Sequence, residues 1–327
     1  MGGKNMKRRC RRVIILFAAL LSLCSNALAM PETLVPVGRT VGIHLSGELV
    51  VVGFDESIGA GAQAAGVRVG DRIVSVNGTQ ADSMEDLRTA ADAQGGVHLT
   101  VERSGKNMEF YLSPVQTPEG SRIGLKVRDG ITGIGTVTFY DPASGSFGAL
   151  GHSVNDPETG ECIGISGGNI MSASVTDVDK GEAGDPGSLK GSIAREDSLG
   201  EISANTAAGI FGTMQPIAPC GEPLPLGKAS QVQTTQATIL SNVSGTEVEP
   251  YEVEIVEIDP DNDQGRNILL HVRDEELLSK TGGIVQGMSG SPIIQDGKLV
   301  GAVTHVLVND PTRGYGIFIE NMLDAAA

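Results

Sequence analysis

The sequence predicts a mainly β protein of two modules behind an export leader, and three observations carry that prediction. Glycine supplies 45 of 327 residues, about twice ordinary usage, as many tight turns require. Short runs rich in Val and Ile alternate with polar residues at period two, most cleanly in Tyr251-Glu252-Val253-Glu254-Ile255-Val256-Glu257-Ile258, the pattern of a half-buried strand. Helical periodicity is confined to a few segments, chiefly residues 275–280 and 320–327. With 40% hydrophobic residues the chain is not of the disordered class. Lys and Arg number 24 against 40 Asp and Glu, for a formal charge of −16. That balance argues against nucleic acid as a partner, because phosphate binding needs a basic face. The absence of Trp and 3% aromatics leave little for base stacking.

Residues 1–29 differ from the rest. Lys4, Lys7, Arg8, Arg9, Arg11 and Arg12 precede an apolar run from Val13 to Leu23, and Ala27-Leu28-Ala29 gives a small-x-small cleavage signature. The expectation is export across the cytoplasmic membrane, with the leader either cleaved or retained as an N-terminal anchor. Without those six basic residues the chain carries 18 basic against 40 acidic residues, a formal charge of −22. Beyond the leader only Cys162 and Cys220 remain, free to pair in an oxidising compartment or to stay as thiols. No Cys-x-x-Cys, His-Glu-x-x-His or Cys/His cluster is present, so neither a metal nor a cofactor is expected. Asp259, Asp261 and Asp263 read as an acidic hairpin turn, since a calcium loop would need Gly and Glu at later positions.

Residues 38–115 form the first module. Residues 41–45 and 48–52 read as two short strands about a Ser46-Gly47 turn. Ala62-Gln63-Ala64-Ala65-Gly66 is a helical turn ended by glycine. A strand enters Asn77-Gly78, a strong tight-turn signal, and Ser83 with Asp86 forms a capping box opening a helix. Residues 97–102 and 108–112 pair about Ser104-Gly105. Ala65-Gly66-Val67, Gly70-Asp71-Arg72-Ile73 and Val76-Asn77-Gly78 make this module resemble a PDZ domain. The resemblance implies an α+β fold that takes an extended peptide or C-terminal tail as an added strand. That groove is expected along Val41, Gly42, Ile43, His44 and Leu45.

Residues 116–327, after a Thr117-Pro118-Glu119-Gly120 linker, are expected to fold as a β-sandwich or a pair of barrels. The chemistry concentrates at Gly287-Met288-Ser289-Gly290-Ser291-Pro292. Such a turn exposes a serine hydroxyl while aiming backbone N–H groups of Gly287 and Ser289 at one point, the requirement of an oxyanion hole. A serine nucleophile needs a base. His152, in the glycine turn Gly151-His152-Ser153, suits that role better than His271 or His305, which sit in strands.

The stretches Gly148-Ala149-Leu150-Gly151-His152-Ser153, Asp274-Glu275-Glu276-Leu277-Leu278 and residues 281–292 (TGGIVQGMSGSP) are similar to the stage IV sporulation protein B family of serine endopeptidases. So are Thr304-His305-Val306, Asn309-Asp310-Pro311 and Gly314-Tyr315-Gly316, and the order of leader, PDZ module and peptidase domain. The resemblance implies Ser289 as nucleophile, His152 as base and Asp274 as orienting acid, on a chymotrypsin-like double β-barrel. Asp177, Asp179, Asp185, Asp197 and Asp310 are rivals for the acid. It further implies an enzyme of the forespore intermembrane space or its membrane, which cleaves itself between Met30 and the PDZ module. Its substrate would be a membrane-bound regulatory protein whose cutting activates a mother-cell sigma factor. The competing reading is a catalytically silent PDZ scaffold at the membrane.

Overall fold

Two long antiparallel strands, Thr40–Phe54 and Leu125–Tyr140, belong to two modules at once. In this computed structural model the described residues are 31–326 except 82, 94, 119, 157–159 and 217–220. The leader and Cys220 therefore lie outside the described residues. Thr33–Ala326 forms one compact unit, and among the described residues no helix is long and apolar enough to cross a membrane.

Residues 40–45 and 131–136 of the two long strands pair with each other. The ring continues from the first through Ile165–Asp179, Ser188–Thr206, Gly209–Met214 and Ser146–Ala149, which returns to the second. Six strands thus close on themselves around Val41, Ile43, Leu45, Val137, Phe147, Ile170 and Ile210. The second barrel closes in the order Gln236–Ser244, Glu247–Ile258, Ile268–Val272, Arg313–Phe318, Lys298–Val306 and Pro292–Gln295. Its core holds Ile239, Tyr251, Val253, Ile255, Ile268, Leu270 and Met288. The alternation read over residues 251–258 sends Tyr251, Val253 and Ile255 inward, because successive side chains on a strand face opposite ways. An apolar cluster joins the barrels, with Leu34, Phe139 and Phe211 meeting Leu299, Ala302, Ile317 and Met322.

The PDZ module grows out of the first barrel. The same two strands continue as residues 49–54 and 125–129, still paired, and add Arg72–Val76, Val97–Arg103 and Lys106–Leu112. The helices Ala60–Ala65 and Met84–Asp92 cover this sheet. The capping box on Ser83 and Asp86 is formed, Gly66 ends the first helix at φ 103°, and Asn77-Gly78 and Ser104-Gly105 turn with positive φ. Asp71, almost fully buried, takes both a 2.6 Å and a 2.7 Å hydrogen bond from Arg103, which gives Gly70-Asp71-Arg72 a structural role.

Two expectations give way here. Residues 41–45 and 48–52 are one strand, because the break expected at Ser46-Gly47 is a register shift between Leu45 and Leu49. Opposite it stands Gly130, at φ 67° and so close to the Leu45 carbonyl that any Cβ would overlap it. The division at residues 38–115 and 116–327 also fails. The PDZ module is inserted between two strands of the first barrel, so excising 38–115 would remove a barrel strand. Thr117 and Gly120 of the expected linker lie in a small hairpin of Val115–Thr117 with Gly120–Arg122.

Candidate active site

The serine turn is a set of locked peptide planes. Met288 N–H donates to Val285 O, Gly290 N–H to Val303 O and Ser291 N–H to Met288 O. The N–H groups of Gly287 and Ser289 make no such bond to backbone among the described residues. Each nevertheless sits in a fixed plane. Gln286 O accepts from Leu189 N at 2.8 Å and Met288 O from Ser291 N at 3.0 Å. In a trans peptide the N–H points opposite its C=O, so anchoring each carbonyl aims the following N–H away from its anchor. Gly287, at φ 100°, has the conformation glycine adopts at little cost. Ser289 is half-buried, and its Oγ donates to Thr304 O at 2.6 Å.

His152 follows two left-handed residues, Leu150 at φ 70° and Gly151 at φ 72°, a costly conformation for leucine. The turn packs on the carrier of the serine's partner: a Cβ on Gly151 would lie 2.8 Å from the Thr304 side chain. The next residue, His305, sets its ring 4.8 Å from that of His152, centroid to centroid. His152 Nδ1 lies 2.8 Å from Ser153 O. Only a protonated Nδ1 can donate to a carbonyl, so this contact assigns the tautomer with a free lone pair on Nε2. Ser289 thus bonds Thr304, the histidine turn packs on the same residue through Gly151, and His305 beside it meets the His152 ring. His305 is the residue that sequence reasoning set aside, since a histidine inside a strand carries no signal of what lies across it. His271 sits in Ile268–Val272, paired with Arg313.

Burial pushes His152 below the ordinary imidazole range, against the Ser153 carbonyl, which favours the charged form. His305 falls to about 4 through burial, then the neighbouring His152 and Arg266. Free imidazole titrates near 6.5, so the fold favours both neutral forms. Their contribution to stability is present above about pH 6.5 and is lost as pH falls toward 4. The expected outcome is a melting temperature that drops across that window, and a covalent-labelling rate at Ser289 whose acid limb lies below 6.5. A limb above 6.5 would contradict the burial of His152.

Asp274 does not join this group. It is the N-cap of the helix Glu275–Thr281: one carboxylate oxygen accepts from Leu277 N at 2.9 Å, the other from Glu252 N at 3.3 Å. None of the causes acting on the His152 ionisation is a carboxylate, and the contact that orients the ring is the Ser153 carbonyl. Asp179 pairs with Lys190, Asp185 caps its own turn, and Asp310 bonds Thr312. Asp274→Ala should therefore cost about 1 kcal/mol, the usual worth of an N-cap, whereas Asp274→Asn, also a good cap, should keep both melting temperature and activity. An inactive but fully stable Asn variant would restore Asp274 as an acid acting on His152.

The expectation of a peptide groove along residues 41–45 also gives way. Residues 41–45 are hydrogen-bonded on both edges, to residues 168–172 and 131–135, and Val41, Ile43 and Leu45 are buried. No strand can be added there, and a Cβ on Gly42 would strike Ile193 rather than an incoming peptide. Residues 125–127 pair only with the 51–54 stretch among the described residues. A cavity of about 200 Å³ separates their neighbourhood from the helix Met84–Asp92, lined by Ile58, Met84, Leu87, Ile123, Leu125 and Val127. The signal for it was Ile123-Gly124-Leu125, with Gly124 at φ 74° between two apolar residues at the mouth of a strand.

The family model for SpoIVB peptidase S55 matches residues 119–323, and a PDZ domain model matches 58–103. Among curated proteins, the chain is similar to a putative zinc metalloprotease of Agrobacterium fabrum, 33% identical over 110 residues, which is 31% of this chain and 28% of that protein. A putative zinc metalloprotease of Bartonella henselae is 33% identical over 76 residues, 23% of this chain and 21% of its own. The chain thus spans about a quarter of these relatives' lengths, and it carries no His-Glu-x-x-His motif. Among solved structures, the inactive form of the Rv3671c protease aligns at 14% identity, covering 58% of this chain and 81% of that one with a TM-score of 0.33. An inactive serine-to-alanine mutant of the same protease from M. tuberculosis H37Rv gives 14%, 59%, 81% and 0.32. A family model spanning well over half the chain, over a fold of two β-barrels and a PDZ module, places this protein in the SpoIVB peptidase S55 family of serine peptidases.

Proposed function

We propose that this chain is an exported serine endopeptidase of the sporulation-signalling type, with Ser289 as nucleophile and His152 as base. Gly287 and Ser289 N–H form its oxyanion hole. The observation that supports the site is that the Gly287 and Ser289 N–H groups make no backbone bond among the described residues while the carbonyls of their peptide planes, Gln286 O and Met288 O, are anchored. For reaction the hydroxyl leaves Thr304 O and turns to His152. His152 Nε2 takes its proton as Oγ bonds the scissile carbonyl carbon, and the oxyanion forms against the Gly287 and Ser289 N–H groups. The imidazolium then gives the proton to the departing amine, leaving an acyl-serine that a water molecule, deprotonated by the same histidine, hydrolyses. A fluorophosphonate should form one adduct, mapped by mass to Ser289, absent in Ser289→Ala and slowed in His152→Ala. An adduct on another residue, or none, overturns the assignment.

Export rests on the leader's basic and apolar segments, and the substrate class on the family: a membrane-bound regulatory protein whose cleavage leads to sigma-factor activation. Self-cleavage is part of the same reading. Leu34 and Val35 are buried in a strand paired on both sides, so a self-made cut has to fall at or before Glu32. Wild type should mature to a shorter form that Ser289→Ala lacks; identical maturation assigns the cut to another enzyme. The groove along residues 123–127 would capture the substrate chain as an added strand. Leu125→Asp should then leave hydrolysis of a short soluble peptide intact while weakening cleavage of the membrane protein, and equal loss on both would refute a steering role.

A further inference from the structure

Thr136 is fully buried on the strand Leu125–Tyr140, and each of its polar groups engages one of the two catalytic turns. Its N–H donates to Ser289 O at 3.0 Å, and its carbonyl accepts from Leu150 N, two residues before His152, at 3.2 Å. Its hydroxyl donates to Gly287 O at 2.8 Å. Thr136 stands opposite Thr40 in the barrel ladder, and the next N–H, of Val137, donates to Arg39 O in the same register, while the N–H and C=O of Thr136 itself bond to the serine and histidine turns. A first-barrel residue therefore reaches across the barrel interface to the serine turn of the second.

We propose that Thr136 is a positioning residue of the peptidase reaction. Its hydroxyl holds the Gly287–Met288 peptide, and with it the two oxyanion donors on either side, in the donating orientation. The proposal rests on reading Ser289 as the nucleophile.

The physical argument concerns which peptide in the turn is free to rotate. The planes carrying the two donors are anchored through Gln286 O and Met288 O. Between them lies the Gly287–Met288 plane, fixed at its N–H end by Val285 O and at its carbonyl end by the Thr136 hydroxyl. Gly287 has no Cβ to resist rotation, so the torsion most able to flip is the one this hydroxyl restrains. A flip would carry Gly287 O toward the space between the donors and set a carbonyl where an oxyanion must sit. The backbone bonds of Thr136 survive any substitution, whereas the hydroxyl is removable by an isosteric side chain. Its contribution to donor geometry can therefore be isolated from its place in the strand.

The test is the rate of fluorophosphonate labelling at Ser289, resolved into a binding and a bond-forming constant, for wild type, Thr136→Val and Thr136→Ser. The probe's phosphonyl oxygen must settle between the same two N–H groups. Thr136→Val should slow the bond-forming step on the order of tenfold with binding little changed, below the hundred- to thousandfold cost of losing a donor itself. Thr136→Ser, which keeps the hydroxyl, should restore it. Thr136→Ala serves where the valine variant does not fold. Labelling of Val or Ala variants at the wild-type rate overturns the role of Thr136 alone, and so does a Ser variant as slow as they are, which would point to packing of the lost methyl. Wild type that acquires no Ser289 adduct overturns the nucleophile assignment and this proposal with it.

Discussion

Ser289→Ala is expected to abolish proteolysis while the protein stays folded. The shape of the turn comes from backbone: Gly287 and Gly290 at positive φ, and carbonyls anchored to Leu189, Ser291 and Thr136. The hydroxyl itself makes one hydrogen bond, to Thr304 O, at a half-buried position. Its removal should change stability by about 1 kcal/mol or less. Activity should fall roughly 10⁴-fold or more, the scale on which a hydrolytic nucleophile is lost. His152→Ala should approach the same floor, and the double variant should cost little more than either alone, because the two groups act in one step. Hydrolysis of a peptide substrate together with thermal unfolding checks both statements. Retained turnover in folded Ser289→Ala would remove Ser289 as nucleophile, and additive losses would separate His152 from it.

Gly290→Ala should damage the protein more than any other single methyl added to the serine turn. A Cβ there would lie 1.9 Å from Thr136 O and 2.6 Å from Leu150 N, both backbone atoms, and the residue sits at φ 98°. The methyl has no flexible side chain to push aside. To make room, the turn has to move off the strand Leu125–Tyr140 and lose the Ser289–Thr136 hydrogen bond. The expected loss is roughly 3 kcal/mol or more, combining a strained conformation with a backbone overlap, together with loss of Ser289 labelling. Gly297→Ala provides the control: its φ is also positive, at 71°, but nothing lies within 4 Å of the added carbon. That variant carries the conformational strain alone, about 1–2 kcal/mol, and should remain active. Equal effects of the two variants in a thermal melt would show that φ, not crowding against Thr136, dominates at Gly290.

Local features of this chain were legible because their causes are local. Asn77-Gly78, Ser104-Gly105, the Ser83–Asp86 capping box and the alternation over residues 251–255 each depend on a few neighbouring residues, and each formed where it was read, the alternation ending at a register shift after Ile255. The glycine spacing around Ser289 likewise announced a tight turn, with Gly287 and Gly290 at positive φ. Residues 41–45 could not be told from an open edge in sequence, because they and residues 123–127 are both short apolar stretches containing a glycine. Nothing within either stretch states which edge will be paired. Asp274 carries the complementary lesson, since an aspartate opening a helix is read by motif as an acid but by geometry as a cap. His305 shows the converse: a plain strand residue in sequence sets its ring 4.8 Å from that of His152.

The sequence by itself determined the mainly β character, the small PDZ module and the turns, and it singled out Ser289 and His152 as candidates, because propensity, turn chemistry and side-chain reactivity belong to individual residues and their immediate neighbours. Only the tertiary structure decided that the PDZ module is inserted into the first barrel, that Thr136 ties the serine turn to the histidine turn, and that the His152 ring bonds the Ser153 carbonyl while Asp274 caps a helix. Those outcomes depend on which strands pair and in what register over separations of a hundred residues or more. They follow from the burial of whole faces and the satisfaction of backbone hydrogen bonds, and no local stretch of sequence contains that information.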